Sequence, residues 1–250
     1  MMLCGRSIFA QSWGPESGLT VLCWHGAGGS SADYARIAPE LAERLGVRVV
    51  AIDGPGHARS SACAAEAFRP TALAALAIDV LDELDAARAV FLGFSWGATV
   101  GCWFSALHPE RTLALVLVEG GHLDFADLPS FRTDRSLDEF VAEAEVVATR
   151  EGAGFGSYAP AVAGAMVLGL RAEPAAATYA WLAASGTPTL FLGAVAAEPS
   201  AWLERLSRLV PQSQIARLDT SSRELLRDAP SEIAQEVGDW LAEMPSISPA

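Results

Sequence analysis

The sequence is short of cysteine and of positive charge. Its 250 residues include 4 cysteines, and 17 Lys and Arg residues stand against 30 Asp and Glu residues, for a formal net charge of -13. No two cysteines form a C-x-x-C pair or a zinc-binding spacing. A nucleic acid or an anionic membrane surface would be repelled by this charge. We therefore expect neither as a partner, and we expect no metal ion and no cofactor.

Long hydrophobic runs are also missing. No stretch approaches the roughly 20 apolar residues that a membrane-spanning helix requires. Residues 1–12 lack the basic start and apolar run of a signal peptide. We expect a cytoplasmic protein with reduced thiols that acts on a small molecule. The sequence leaves the oligomeric state open.

Short apolar runs alternate with amphipathic helical stretches along most of the chain. The runs have the length of buried strands and occupy residues 19–24, 47–52, 89–94, 112–118, 187–192 and 213–218. Continuous apolar strands separated by helices are typical of a parallel sheet that is covered on both faces. The pattern predicts an α/β fold with a mostly parallel central sheet.

The strand pattern is interrupted in the middle of the chain. From residue 123 to residue 185 the sequence is helical with loops, and Ser136 and Glu139 have the spacing of a capping box that begins one helix. We predict a core formed by residues 1–122 and 186–250, with residues 123–185 as a small helical lid. Such a lid would cover the carboxyl ends of the strands.

The motif G-x-S-x-G occurs between a predicted strand and a predicted helix. It reads Gly93-Phe94-Ser95-Trp96-Gly97. A sharp turn in this context presents the serine hydroxyl at the edge of the sheet, beside the helix N-terminus. The alternative is a serine that merely caps the helix.

Three further segments accompany this motif: His25-Gly26-Ala27, Asp53-Gly54-Pro55-Gly56-His57 and His108-Pro109-Glu110-Arg111. Together they resemble the α/β-hydrolase superfamily over essentially the whole chain. The resemblance implies an α/β-hydrolase fold with Ser95 as the nucleophile. It also implies that the backbone N–H groups of Ala27 and Trp96 form an oxyanion hole. His25 and Gly26 would shape that loop where it meets the substrate.

The sequence departs from the family at the catalytic histidine. The family places this residue after the last strand, where the present chain has Arg223, and no histidine follows His122. Arginine cannot accept the serine proton because it stays protonated. Arg223 would instead anchor a substrate carboxylate, or it is an exposed side chain without a ligand.

The catalytic acid and the general base that would accompany Ser95 must therefore be sought at other positions. Glu119 follows the strand next to the nucleophile strand and fits a position that parts of the family use for the acid, whereas Glu198 is displaced from the usual position. His122 lies three residues after Glu119 and would serve as a relocated base. The alternative is a loop histidine at the root of the predicted lid.

Three functions remain open at this point. The first is hydrolysis of an ester, thioester or lactone of a small, largely apolar molecule through an acyl-enzyme at Ser95. The second is a non-hydrolytic enzyme, such as a cyclase, dehydratase, lyase or isomerase, that uses the same oxyanion hole. The third is a ligand-binding homologue without catalysis. The missing histidine weighs against the first function, since an unassisted serine is a weak nucleophile.

Overall fold

The structure, a computed structural model, describes residues 1–3, 5–121, 136, 139, 142, 160–194, 201–222 and 224–245. The strands in chain order are β1 (Met2–Leu3), β2 (Arg6–Ser7), β3 (Ala10–Trp13), β4 (Thr20–Trp24), β5 (Arg48–Ile52), β6 (Ala89–Phe94), β7 (Thr112–Val118), β8 (Thr189–Ala194) and β9 (Ser213–Leu218). The helices are α1 (Ala38–Leu45), α2 (Pro70–Glu83), α3 (Trp96–Leu107), α4 (Pro160–Ala172), α5 (Tyr179–Ser185), α6 (Ala201–Leu209), α7 (Leu225–Asp228) and α8 (Pro230–Ala242). Within these ranges, no helix has both the length and the apolar character needed to cross a bilayer.

Seven strands form the central sheet in the order β3-β5-β4-β6-β7-β8-β9. Every neighbouring pair is parallel except β3 with β5. Trp24 at the end of β4 pairs with Ile52 and with Gly93, and Phe94 pairs with Val118. The carboxyl ends of four strands therefore meet at one edge. The predicted mostly parallel sheet is confirmed.

Helices cover both faces of the sheet, as predicted. One hydrophobic cluster includes the sheet residues Trp24 and Phe91 together with Leu73 of α2 and Phe104 of α3. The other joins side chains of the opposite face to α1 and α8, including Val21, Val49, Leu41, Ile233 and Val237. All of these side chains are buried, so the sheet is the middle layer of three.

The chain before α1 differs from the sequence prediction. The apolar spacing from Tyr34 to Leu45 predicts one helix, but a 3-10 turn over Ser31–Tyr34 precedes α1. This turn is closed by a capping box in which the Ser30 amide donates to the Asp33 carboxylate at 3.0 Å. Gly46 ends α1 in the left-handed conformation, with φ of 63°.

The N-terminal edge strand is not predicted by the sequence pattern. Strand β3 has the sequence AQSW and is only partly buried, so it lacks the apolar run that marks the interior strands. It pairs antiparallel with β5, with Gln11 opposite Ala51. An edge strand needs only one neighbour, which relaxes the demand for apolar residues on both faces.

The described part of the predicted lid is helical. Residues 160–185 contain α4, a 3-10 turn over Ala175–Thr178 and α5, and no strand of the main sheet lies in this range. Helix α4 packs closely on the segment before α2, since a Cβ at Gly169 would lie 2.4 Å from the Phe68 carbonyl oxygen. Ser136 and Glu139 form the predicted capping box. The boundaries of the lid stay a prediction.

The tight packing at Gly97 yields a test of the fold. A Cβ at this position would lie 2.2 Å from the Trp24 carbonyl oxygen, so Gly97→Ala must displace the β6–α3 turn from the end of β4. We expect a loss of about 3 kcal/mol or more in the free energy of unfolding, measured by urea denaturation.

Gly46→Ala is the matched control. Gly46 has a positive φ, and a Cβ added there would meet no atom within 4 Å, so strain alone should cost about 1–2 kcal/mol. Equal losses in the two variants would contradict the close packing at Gly97.

Candidate active site

Ser95 lies on a strained turn between β6 and α3. Its φ is 51° and its ψ is -111°, a conformation that a residue with a side chain rarely adopts. Backbone strain of this kind costs about 1–3 kcal/mol and persists only where the surroundings enforce it. The Ser95 amide donates to the Val118 carbonyl at 2.9 Å, and the Ser95 carbonyl accepts from Ala98 at 3.0 Å. The turn has the geometry of a nucleophile elbow.

Glycines allow the neighbouring chain segments to approach this turn. A Cβ at Gly93 would lie 2.4 Å from the Gly97 carbonyl oxygen, so the turn itself requires glycine at this position, whereas the requirement at Gly97 comes from the end of β4. A Cβ at Gly120, just after β7, would lie 2.5 Å from the Ser95 carbonyl oxygen. The turn is therefore enclosed by its own glycines and by the segment that follows β7.

The loop after β4 lies against the other side of Ser95. A Cβ at Gly26 would lie 3.2 Å from the Ser95 Cβ atom. Ala27 is exposed, and no carbonyl within the described residues accepts a hydrogen bond from its amide. Trp96 is the first residue of α3, so its amide has no acceptor one turn earlier in that helix. The predicted oxyanion pair thus flanks Ser95, and the convergence of the two amides stays a prediction.

His25 is fully buried and uses both ring nitrogens inside the protein. Nδ1 donates to the Gly26 carbonyl at 2.7 Å, and Nε2 accepts from the Gly54 amide at 2.8 Å. Burial, with a smaller contribution from His57, lowers the pKa of His25 to about 3. The ring therefore fixes the loops after β4 and β5 and offers no atom to a ligand. The expectation that His25 shapes this loop where it meets the substrate stays a prediction.

Asp53 joins the same two loops through its buried carboxylate. Oδ1 accepts from the Ser31 amide at 2.8 Å and from the Ser31 hydroxyl at 2.6 Å, and Oδ2 accepts from the Arg59 amide and side chain. Burial opposes ionisation, but these hydrogen bonds outweigh it and lower the pKa of Asp53. The sequence pattern alone predicts only a turn here. An aspartate at a strand end, with Arg59 six residues later, is the signal that could have shown this role.

His57 packs beside the residue that follows Ser95. Its ring stacks on Trp96, with ring centroids 5.5 Å apart, and lies 4.8 Å from the ring of His25. Nδ1 donates to the Pro55 carbonyl at 2.9 Å, which places the acceptor lone pair of the neutral ring on Nε2. Burial lowers the pKa of His57.

Glu119 holds the ends of β7 and β8 together. Its carboxylate Oε1 accepts from the Ala194 amide at 2.6 Å, and its own amide donates to the Leu192 carbonyl at 2.9 Å. The side chain is buried, and its backbone has a φ of 44°. Two residues later, the Gly121 carbonyl accepts a hydrogen bond from the Tyr179 hydroxyl of α5.

The other predicted site residues are distributed as follows. His122, Arg223 and Glu198 lie outside the described residues. His108 ends α3, about 18 Å from Ser95 along the helix axis at 1.5 Å per residue. Within the described part of the chain, no three histidine, cysteine, aspartate or glutamate residues are grouped as metal ligands.

Comparison with known proteins gives the same fold. The model of the α/β-hydrolase fold family matches residues 20–155. A serine hydrolase-like protein of Danio rerio is 34% identical over 125 residues, which are 50% of this chain and 36% of that protein. Epoxide hydrolase B of Mycobacterium tuberculosis is 37% identical over 115 residues, or 45% of this chain and 32% of that protein. The enol-lactonase from Burkholderia xenovorans LB400 superposes with a TM-score of 0.77 at 18% identity, covering 97% of this chain and 99% of its own.

The family model covers more than half of the chain, and the chain belongs to the α/β-hydrolase fold family. The match spans about a third of the length of the two curated relatives. The likeness to the enol-lactonase shows the fold alone, because the identity is low.

The buried imidazole of His25 predicts a pH-dependent stability. The folded protein keeps this ring neutral down to about pH 3, whereas an unfolded chain protonates it below about pH 6.5. The unfolded state therefore binds more protons, and the free energy of unfolding falls as the pH falls through this window. The expected contribution to the slope is about 1.4 kcal/mol per pH unit at most.

His25→Gln should reduce this slope, measured by urea denaturation at several values between about pH 4 and about pH 6.5. Comparing slopes separates the titration from any general loss of stability. An unchanged slope in His25→Gln would contradict the neutral buried ring.

Proposed function

We propose that this chain is a hydrolase that cleaves an ester, thioester or lactone of a small, largely apolar molecule, with Ser95 as the nucleophile. The observation that carries the proposal is the strained turn at Ser95, with Gly26 packed against its side chain. A serine held in this conformation, beside a helix N-terminus, is positioned to attack a carbonyl carbon. The backbone N–H groups of Ala27 and Trp96 would stabilise the resulting oxyanion.

The general base is proposed from the four histidines. His25 is excluded because both of its nitrogens are engaged, and His108 is excluded by its distance from Ser95. His122 and His57 remain. We propose His122, because it lies three residues after Glu119, which follows the strand next to the nucleophile strand. An acid beside a histidine stabilises the imidazolium that forms. His57 is the second candidate.

The substrate is proposed to lie between the Ser95 edge and the lid predicted over residues 123–185. The relatives include an epoxide hydrolase, which supports hydrolytic chemistry as the starting point. Cleavage of a lactone needs the same two elements as cleavage of an ester, namely a nucleophile and oxyanion donors.

One observation favours a second function. The chain has no histidine after His122, where the family keeps its base. Oxyanion donors also stabilise an enolate, so a cyclase, dehydratase, lyase or isomerase would use the same site without an acyl-enzyme. Under this alternative, Ser95 binds the substrate and forms no covalent bond to it, as it would also in a binding protein without turnover.

The proposal is tested by hydrolysis of p-nitrophenyl acetate and p-nitrophenyl butyrate. We expect slow but measurable turnover in the parent protein, because a triad without its usual histidine keeps only part of its rate. Ser95→Ala should abolish this turnover. His122→Ala should lower kcat about 100-fold or more if His122 is the base.

His108→Ala is the matched control and should leave kcat unchanged, since it removes a histidine from the far end of α3. Turnover that survives Ser95→Ala would refute the nucleophile. Turnover that survives His122→Ala but is lost in His57→Phe, a variant that keeps a ring against Trp96, would move the base to His57.

A further inference from the structure

A cavity of about 290 Å³ lies beside the loop that flanks Ser95. Its lining includes Gly26 and Ala27 of that loop, and Phe94, the residue before Ser95. The opposite wall comes from the C-terminal part of the chain and includes Leu226. The cavity is large enough for a small chemical group, and one of the two proposed oxyanion donors, Ala27, lies in its wall.

Four charged residues also line this cavity: Asp33, Arg36, Glu224 and Arg227. These four charges are not equally available to a ligand. Arg227 donates two hydrogen bonds to the Asp228 carboxylate, at 2.8 and 3.2 Å. The negative charge of Glu224 also stabilises the charged guanidinium of Arg227. The charge of Arg227 is therefore balanced on its own segment of the chain.

Asp33 is engaged with the backbone. Its carboxylate accepts the Ser30 amide, which closes the 3-10 turn before α1. Burial raises the pKa of this carboxyl group, with Asp53 adding to the effect. This acid is thus held in place by the turn and does not pair with a guanidinium of the cavity within 4 Å in the described residues.

Arg36 is the guanidinium that lacks a carboxylate partner among the described residues. Its Nη1 donates to the Arg227 carbonyl oxygen at 3.3 Å, which joins the two walls of the cavity. A guanidinium carries five N–H donors in a planar fork that suits a carboxylate. One neutral acceptor leaves most of these donors available.

We propose that Arg36 binds a carboxylate group of the substrate in this cavity, so that the preferred substrate is a small ester, thioester or lactone that carries one free carboxylate. This inference rests on the proposed function for the position of the reacting bond. The two carboxylates on the cavity wall disfavour a dianion such as a phosphate monoester, whereas a single carboxylate matches the guanidinium of Arg36, which pairs with no carboxylate of the described residues. On a chain with a net charge of -13, such an anion requires a local cation.

The test compares binding of monomethyl glutarate, which has one carboxylate, with binding of dimethyl glutarate, which has none. Calorimetric titration is performed on Ser95→Ala, so that neither ester is turned over, and in low-salt buffer because exposed charges are screened. We expect monomethyl glutarate to bind about tenfold more tightly than dimethyl glutarate. Adding Arg36→Gln should remove this preference.

Two further variants define the site. Arg208→Gln removes an exposed guanidinium on α6, 3.9 Å from Glu204, and should keep the preference. Ala32→Phe should weaken binding of both esters, because Ala32 lines the cavity and the larger ring would fill it.

Equal binding of the two esters, a preference that survives Arg36→Gln, or no binding of either ester would overturn the inference. Hydrolysis of dimethyl glutarate by the parent protein, without a preference for the monoester, would leave the proposed function standing while this inference fails. If the parent protein turned over neither ester but preferred the monoester in a way that depends on Arg36, this inference would stand and the proposed function would fail.

Discussion

The close approach of three backbone segments around Ser95 is the constraint on which the site depends. Gly97 lies against the end of β4, Gly120 against Ser95 itself and Gly26 against the serine side chain. A turn with a φ of 51° is unfavourable for serine in isolation, and these contacts stabilise it within the fold. The order of the strands brings these segments together, because β4 and β7 lie on either side of β6.

Buried polar groups fix the positions of the loops that surround this turn. His25 joins the loops after β4 and β5 through Gly54, and Asp53 joins them again through Ser31. Each group is buried and hydrogen-bonded, so losing one partner would leave an uncompensated donor or acceptor in the interior. These groups fix the position of the loop after β4, which carries the proposed oxyanion donor Ala27.

Much of this arrangement follows from the sequence. The apolar runs located β4, β6 and β7, since an interior strand must be apolar on both faces. The G-x-S-x-G motif located the turn at Ser95, because its first glycine is required by a contact within the turn, with the Gly97 backbone. Its second glycine is required by the end of β4, which is distant in sequence. Strand β3 was missed because an edge strand does not need an apolar run, and the break before α1 was missed because a capping box competes locally with the helix.

Other features depend on contacts that no local pattern specifies. The stacking of His57 on Trp96 joins two loops that only the strand order makes neighbours. The contact of Arg36 with Arg227 joins residues 191 positions apart. Conversely, the absence of a histidine after His122 is visible in the sequence alone, and it is the feature that sets this chain apart from the family pattern.

The most direct test of the account is the rate at which a fluorophosphonate labels Ser95, followed by mass spectrometry of the labelled peptide. The account predicts slow labelling confined to Ser95, because the elbow is formed but the usual base is missing. It also predicts faster labelling in Arg223→His, which restores a histidine at the position the family uses. Rapid labelling of the parent protein that Arg223→His does not increase would show that a relocated base already works as well as the usual histidine, and would contradict the slow reaction that the account predicts.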